Sequence, residues 1–273
     1  MLDQKFQRLK QLIAQHHSLL VAFSGGVDSA LLLKVSHDVL GEKAAACTAV
    51  SPTLAQQEKE STLQVAGEIG ANHFFIEYDE LDIPGYSLNQ ENRCYLCKTE
   101  LFTKLKELAL EKGFQAVAYG ANQDDLKEFR PGMKAAREFG IHAPLLDAGL
   151  NKEEIRTLSR RLGLSIWNKP AAACLSSRIP YGTEITHQRL TEIEAAEAVL
   201  KKYGFIQCRV RHHENIARIE VSREEFPRLL DPGLRESVVQ ELKKIGFQFI
   251  TLDLEGYRPG SVSGITGING KDS

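Results

Sequence analysis

Apolar positions in the first half of the chain arrive in short runs separated by longer amphipathic stretches, the pattern of strands alternating with helices. Leu19–Phe23 predicts a strand, and Val27–Leu40, with leucines and valines at helical spacing, predicts the helix that follows. Ala44–Val50 and His73–Tyr78 predict the second and third strands, with a helix at Ala55–Ile69 between them. A long helix over Cys97–Lys112 leads to a fourth strand at Ala116–Tyr119, and Asn151–Leu162 reads as a further helix. Asn151 is its cap, with Glu153 and Glu154 in the first turn. This alternation predicts the α/β class, a doubly wound parallel sheet with ligands at the carboxyl ends of its strands.

The pattern changes after Trp167. Lys169–Gly182 is small, proline-bounded and aperiodic, which marks a loop or linker. Beyond it a helix (Thr186–Tyr203), strands (Phe205–His212 and Ile216–Val221), a helix (Leu234–Ile245) and a strand (Gln248–Leu254) predict a smaller C-terminal α+β domain with an antiparallel sheet. The expected boundaries are 1–168 for the nucleotide domain, 169–185 for the linker, 186–257 for the second domain and 258–273 for a flexible, glycine-punctuated tail that begins to loosen at Gly256. No internal repeat is visible.

The junction Phe23-Ser24-Gly25-Gly26-Val27-Asp28-Ser29 carries the clearest chemistry. A strand that ends in Ser-Gly-Gly and turns at once into a helix builds an anion cradle. The glycines allow a sharp turn and close approach, and the first helical N–H groups point at bound oxyanions. Ser24 and Ser29 add hydroxyl donors, and Asp28 sits where an acid caps the helix or reaches a magnesium ion. No lysine follows the glycines, which separates this loop from those that serve γ-phosphoryl transfer. Further nucleotide contacts are expected at the other strand ends, from Ser51-Pro52-Thr53 and from Gly120-Ala121-Asn122-Gln123-Asp124-Asp125. Asp124 or Asp125 is there a second magnesium ligand or a cap of the next turn.

At 273 residues with 34 basic and 36 acidic side chains the net charge is −2, and no polybasic tract argues for a dedicated nucleic-acid binder. The apolar runs are too short to span a bilayer and the N-terminus carries no signal region, so a cytoplasmic protein is expected. Five cysteines in that compartment suggest metal or sulfur chemistry before a disulfide frame. Cys94 and Cys97 form Cys-x-x-Cys, followed by Lys98, and Cys174 stands in the later loop. Zinc wants four ligands, and a thioredoxin-like context is absent. Three thiolates around a [4Fe–4S] cluster leave one iron open. The plain alternative is that all are unliganded, and Cys47 and Cys208 fit buried core positions. Arg209 and Arg211 share one strand face, and Arg218 and Glu220 share a face of the next. This set predicts either a charged surface suited to a phosphate or an ordinary solvated sheet face. His187, His212 and His213 receive no role.

The glycine loop resembles the PP-loop of the N-type ATP pyrophosphatases. That resemblance implies ATP with Mg2+, held by Ser24, Gly25, Gly26, Asp28, Ser29, Ser51, Gly120, Asn122 and Asp125, with pyrophosphate as leaving group. The loop together with Phe129-Arg130-Pro131-Gly132, Trp167-Asn168-Lys169, Cys174–Gly182 and Arg209-Val210-Arg211-His212 is similar to the LarE family, from about Phe23 to Tyr257. Members are ATP-dependent sulfur transferases of nickel-pincer nucleotide synthesis, which adenylate pyridinium-3,5-biscarboxylic acid mononucleotide and convert its carboxylates to thiocarboxylates. The resemblance implies Cys174, Asp28, Lys98 and Arg178 in catalysis, with Lys98 or Arg178 offsetting charge during sulfur transfer. It implies Arg209 and Arg211 by the substrate phosphate, and Glu197 and Glu220 near a subunit interface that can take a metal. Members with a single cysteine sacrifice its sulfur, whereas Cys94, Cys97 and Cys174 together imply a [4Fe–4S] cluster that delivers sulfide. A homo-oligomer such as a hexamer is also implied; a sulfide donor protein is a candidate partner, and the charge balance and short apolar runs above leave no nucleic-acid or membrane partner expected. Thiolation of tRNA is the competing chemistry, and a nucleotide sensor without turnover the competing class.

Overall fold

The short apolar runs of the first half pair as parallel strands. The computed structural model describes residues 1–127, 131–170 and 173–258, so Phe129, Arg130 and the tail beyond Arg258 lie outside the described residues. The chain divides into two units, Met1–Ile83 with Asn92–Ala172, and Pro84–Glu91 with Ala173–Ser273.

In the first unit the chain runs α1 (Leu2–Ala14), β1 (Leu19–Ala22), α2 (Val27–Leu40), β2 (Ala44–Val50), α3 (Gln56–Ile69), β3 (Asn72–Glu77), α4 (Arg93–Lys112), β4 (Ala116–Tyr119), α5 (Pro131–Glu138), α6 (Pro144–Asp147) and α7 (Lys152–Arg161). The sheet order is β3-β2-β1-β4, all parallel. Strands buried on both faces read as near-continuous apolar runs, as these do. Leu19 and Val21 pack with α1, α2 and α7 through Leu9, Leu32 and Leu158. Leu20 packs on the opposite face with Leu101, Phe102 and Ala135 of α4 and α5. The chain leaves β1 for β2 and β3, then crosses back to place β4 at the other side of β1. The loop after β1 therefore opens at the topological switch point, where doubly wound sheets bind ligands. Helix α1 is not among the elements expected above, although Leu2, Phe6, Leu9 and Ile13 recur at helical spacing, and it buries Leu9 and Ile13 completely.

In the second unit, α8 (His187–Lys202), β5 (Cys208–His213), β6 (Ile216–Val221), α9 (Phe226–Leu229), α10 (Pro232–Ile245) and β7 (Phe249–Leu252) build a sheet of order β5-β6-β7. Here the expected antiparallel sheet is corrected to a mixed one. β5 and β6 are antiparallel, but β7 joins β6 in parallel because α10 carries the chain back to the starting end of the sheet. Cys208, Val210, Ala217, Ile219 and Val221 share an apolar core with Ala196 and Leu200 of α8 and Leu242 of α10. Gly256–Arg258, expected to be loose, are tied down as far as Tyr257, whose N–H donates to the Val221 carbonyl at 2.8 Å.

Candidate active site

Gly25 turns the chain out of β1 with φ +67°, a left-handed conformation that a side chain strains, and a Cβ there would lie 2.9 Å from Thr62 Cγ2. Gly26 caps α2 without a side chain, so no side chain covers the N–H groups of the first turn. The loop braces itself from behind. Ser24 N–H donates to Ser29 Oγ (3.3 Å), Ser29 Oγ donates to the Gly26 carbonyl (3.1 Å), and the two hydroxyls lie 3.2 Å apart. Thr48 Oγ1 donates to the Phe23 carbonyl at 2.7 Å and lies 2.8 Å from His73 Nε2. The threonine proton is spent on Phe23, so His73 Nε2 carries the proton of that second bond. Burial lowers the His73 pKa to about 4, so the ring is neutral at pH 7.

The end of β4 lies directly against the start of α2. A Cβ on Gly120 would come within 2.9 Å of Ser29 N and 3.1 Å of Asp28 C. Asn122 and Asp125, both buried, form a closed turn in which Asp125 Oδ2 accepts from Asn122 N–H at 3.0 Å. Asn122 Nδ2 reaches Asp28 Oδ1 at 3.4 Å. At the end of β2, Ser51 Oγ and Thr53 Oγ1 each donate to Glu80 Oε1 at 2.7 Å. Burial raises the Glu80 pKa against those two bonds.

Two lysines that sequence reasoning missed complete this region. Lys152, the first residue of α7, places its ammonium on Asp28 Oδ2 and its backbone N–H on Asp124 Oδ2 (2.9 Å). The capping box of Asn151 and Glu154 starts α7 at that residue and so aims Lys152. Lys169 Nζ donates to the Gly25 carbonyl (3.2 Å), Ser61 Oγ (2.8 Å) and Glu58 Oε2 (2.8 Å). No local signal announces either partnership, because Lys152 and Asp28 stand far apart in sequence. The cradle thus combines an open helix N-terminus, one partly exposed carboxylate and two ammonium groups, a donor set suited to a polyphosphate with a divalent cation.

The cysteine pair lies in the same unit. Helix α4 begins at Arg93, so Cys94 and Cys97 fall in its first turns rather than at or before its start, a correction to the expected Cys97–Lys112. They are one turn apart on one helix face, both half-buried and neither in a disulfide. Lys98 extends its ammonium toward Phe102, and its stem lies where a Cβ on Gly132 would come within 2.8 Å of Lys98 Cγ. Cys47 and Cys208 are buried and their thiols are pushed up to about 12 by burial, as core residues. No group of three or more His, Cys, Asp or Glu among the described residues is arranged to hold a metal ion.

In the second unit an exposed Cys174 precedes a single turn, Leu175–Arg178. Its carbonyl accepts from Ser177 N–H (3.0 Å), Ser177 Oγ (2.8 Å) and Arg178 Nη1 (3.0 Å). Beneath it Ser176 Oγ meets Tyr86 OH at 2.9 Å. The carboxamide of Asn89 donates to the carbonyls of Pro180 (2.7 Å) and Thr183 (2.9 Å). The arginines and Glu220 share one face, in the register Arg209↔Glu220 and Arg211↔Arg218. That face is covered rather than the expected charged surface, since Glu220 is 0 % and Arg211 5 % exposed. Arg211 Nη2 donates to Glu220 Oε2 (2.8 Å) and Nη1 to the Ser177 carbonyl (2.9 Å). Glu197 is buried as well, accepting from Arg178 Nε (2.9 Å), Arg178 Nη2 (3.1 Å) and the edge-strand N–H of Val210 (3.2 Å). Arg209 donates to the Cys208 carbonyl (2.7 Å) and lies over the Tyr257 ring. Burial, with the Arg178 charge beside it, lowers the Arg209 pKa.

A doubly wound α/β fold with a glycine-lined helix N-terminus at its switch point is the class these features define. Pyridinium-3,5-bisthiocarboxylic acid mononucleotide synthase of Lactiplantibacillus plantarum is 37% identical over 244 residues, 89% of this chain and 88% of that protein. An uncharacterised protein of Synechocystis sp. is 44% identical over 96% of the chain and 98% of its own length, and one of Methanocaldococcus jannaschii is 29% identical over 89% and 92%. No protein-family model matches the chain. The chain belongs to the family of the pyridinium-3,5-bisthiocarboxylic acid mononucleotide synthases, the LarE family.

Proposed function

We propose that this protein is an ATP-dependent sulfurtransferase that converts carboxylates of pyridinium-3,5-biscarboxylic acid mononucleotide to thiocarboxylates. The observation that carries this reading is the cradle after β1, an uncapped helix N-terminus with Asp28, Lys152 and Lys169 around it, in a chain that matches the Lactiplantibacillus synthase along nearly its whole length. A substrate carboxylate oxygen attacks the α-phosphorus of ATP, and the bond to pyrophosphate breaks. A sulfur nucleophile then attacks the acyl carbon, and AMP departs with the former carboxylate oxygen. The backbone N–H groups of α2 and both lysines stabilise the departing pyrophosphate. Asp28 fits a magnesium ligand, being partly exposed and already facing a cation, whereas Asp125 is committed to its own turn. Arg209, whose buried charge an anion would relieve, is assigned to the phosphate of the mononucleotide, and Arg211 Nε, buried without a partner among the described residues, is a second donor for it. Asp28→Asn should abolish AMP release, and a normal AMP yield in that variant would overturn the assignment of the cradle.

Cys94, Cys97 and Cys174 are assigned to a [4Fe–4S] cluster. The one-turn spacing and half-burial of the α4 pair fit two thiolate ligands of such a cluster. Bound there, it would supply sulfide at its open iron. Lys98, in the first turns of the same helix, would offset negative charge near the pair. A second reading has Cys174 give up its own sulfur. It is favoured by the exposure of that thiol. Iron and acid-labile sulfide assays on anaerobically purified protein separate the two. Iron-free protein that forms thiocarboxylate while Cys174 loses the mass of hydrogen sulfide selects the second. A homo-oligomer and a sulfide-donating partner belong to the same proposal.

A further inference from the structure

Two buried ion pairs in the second unit converge on one short turn, and both hold its backbone. The Arg178 guanidinium has five N–H groups. Nε and Nη2 go to the two oxygens of Glu197, and Nη1 goes to the carbonyls of Ala173 (2.7 Å) and Cys174 (3.0 Å) and to Ser177 Oγ (3.0 Å). All three nitrogens of the fork therefore have partners within the chain. Burial pulls the Arg178 pKa down, but the adjacent Glu197 carboxylate outweighs it and the net direction is up, so the charge is permanent. Arg211 repeats the arrangement from the sheet, with Glu220 on one nitrogen and the Ser177 carbonyl on another. Such fully desolvated pairs contribute little net stability against apolar replacements of the same shape, yet they orient a planar donor set firmly. What the two forks orient is the backbone on either side of Cys174, whose own side chain stays exposed.

We propose that Arg178, fixed by Glu197, is a positioning residue that holds the Cys174 backbone while the sulfur of that residue takes part in transfer, with Arg211 and Glu220 as a second brace at Ser177. This rests on the second reading above, in which Cys174 gives up its own sulfur. Arg178 then acts through the Cys174 carbonyl, and its donors are not offered to substrate.

The test is a single-turnover assay on the full-length protein, with pyrophosphate release and thiocarboxylate formation measured in the same sample. In Arg178→Lys and in Glu197→Gln, thiocarboxylate formed per pyrophosphate released should fall roughly 10- to 100-fold, the scale of a misplaced reacting group. Ser177→Ala, which removes one half-buried hydroxyl from the Cys174 carbonyl, should lower the same ratio several-fold and keeps the test decisive if the buried variants fail to fold. The exchanged pair Arg178→Glu with Glu197→Arg separates positioning from stability. It should recover melting temperature relative to either single variant but not the ratio, because glutamate at 178 cannot donate to the two carbonyls. A wild-type ratio in Arg178→Lys and Ser177→Ala, alongside loss of product in Cys174→Ala, would overturn the positioning role alone. A wild-type ratio in Cys174→Ala would instead overturn the reading of Cys174.

Discussion

Replacing Gly120 by alanine tests how the sheet places the cradle. The added Cβ would lie 2.9 Å from Ser29 N, 3.1 Å from Asp28 C and 3.2 Å from Asp28 Cβ. Ordinary contacts at such atoms begin near ~3.4 Å, and two of the three atoms are backbone of a helix end that cannot rotate away. The first turn of α2 must therefore retreat from β4 by a few tenths of an ångström. Overpacking of this kind typically costs about 1–3 kcal/mol, offset by up to about 0.8 kcal/mol from the methyl buried. A net loss of about 1–2 kcal/mol is expected, read as a lower urea midpoint with unchanged slope. The same retreat moves Asp28 and the N–H groups of the cradle, so ATP-dependent pyrophosphate release should fall about 10-fold or more, in line with the sensitivity of positioned groups to small displacements. Gly67→Ala is the matched control. Gly67 lies within α3 with nothing within 4 Å of its added Cβ, so the same chemical change should stabilise by roughly 0.5–1 kcal/mol and leave pyrophosphate release alone. Equal responses of the two variants in stability and turnover would refute the close-approach argument.

Other outcomes follow from individual contacts. Lys152→Met removes a partly exposed partner of Asp28, so stability should change by less than about 1 kcal/mol, while ATP affinity weakens about 10-fold by titration calorimetry. Asn89 is fully buried at φ 53° with its carboxamide on the Pro180 and Thr183 carbonyls. Asn89→Ala should cost about 2–4 kcal/mol in urea melts, and Asn89→Gly about 1 kcal/mol less because the backbone strain is relieved. His73 has its pKa lowered from 6.5 to about 4, so the unfolded chain binds the proton more readily and stability is lost as pH falls through that window. His73→Gln should flatten this part of the stability–pH curve relative to wild type, and an unchanged difference between pH 7 and pH 4 would count against the buried neutral ring.

Much of the first unit was legible from local pattern. The bounds of α2, β2 and β4 follow directly from apolar runs and helical spacing, and Asn151 with Glu154 forms the capping box its residues suggest. Helix α1 was legible in the spacing of Leu2, Phe6, Leu9 and Ile13 and was overlooked for want of a side-chain cap, whereas the true start of α4 was not legible, because it has no side-chain cap and the Arg93–Cys97 run has no helical apolar period. The chain alone also could not place Lys152 or Lys169 at the cradle, since each lies more than a hundred positions from the residue it meets.

What the sequence determined by itself, then, was the alternation that makes a parallel sheet and the Ser-Gly-Gly turn that makes an anion cradle, both of which depend on neighbours in the chain. Tertiary structure alone decided that segment 84–91 belongs with the second unit, that β7 pairs in parallel, and that the Arg211–Glu220 face is buried beneath the Cys174 turn. These outcomes rest on which distant groups are desolvated together. A charged residue on a strand carries the same local signature whether water or a buried partner meets it, and only packing distinguishes the two.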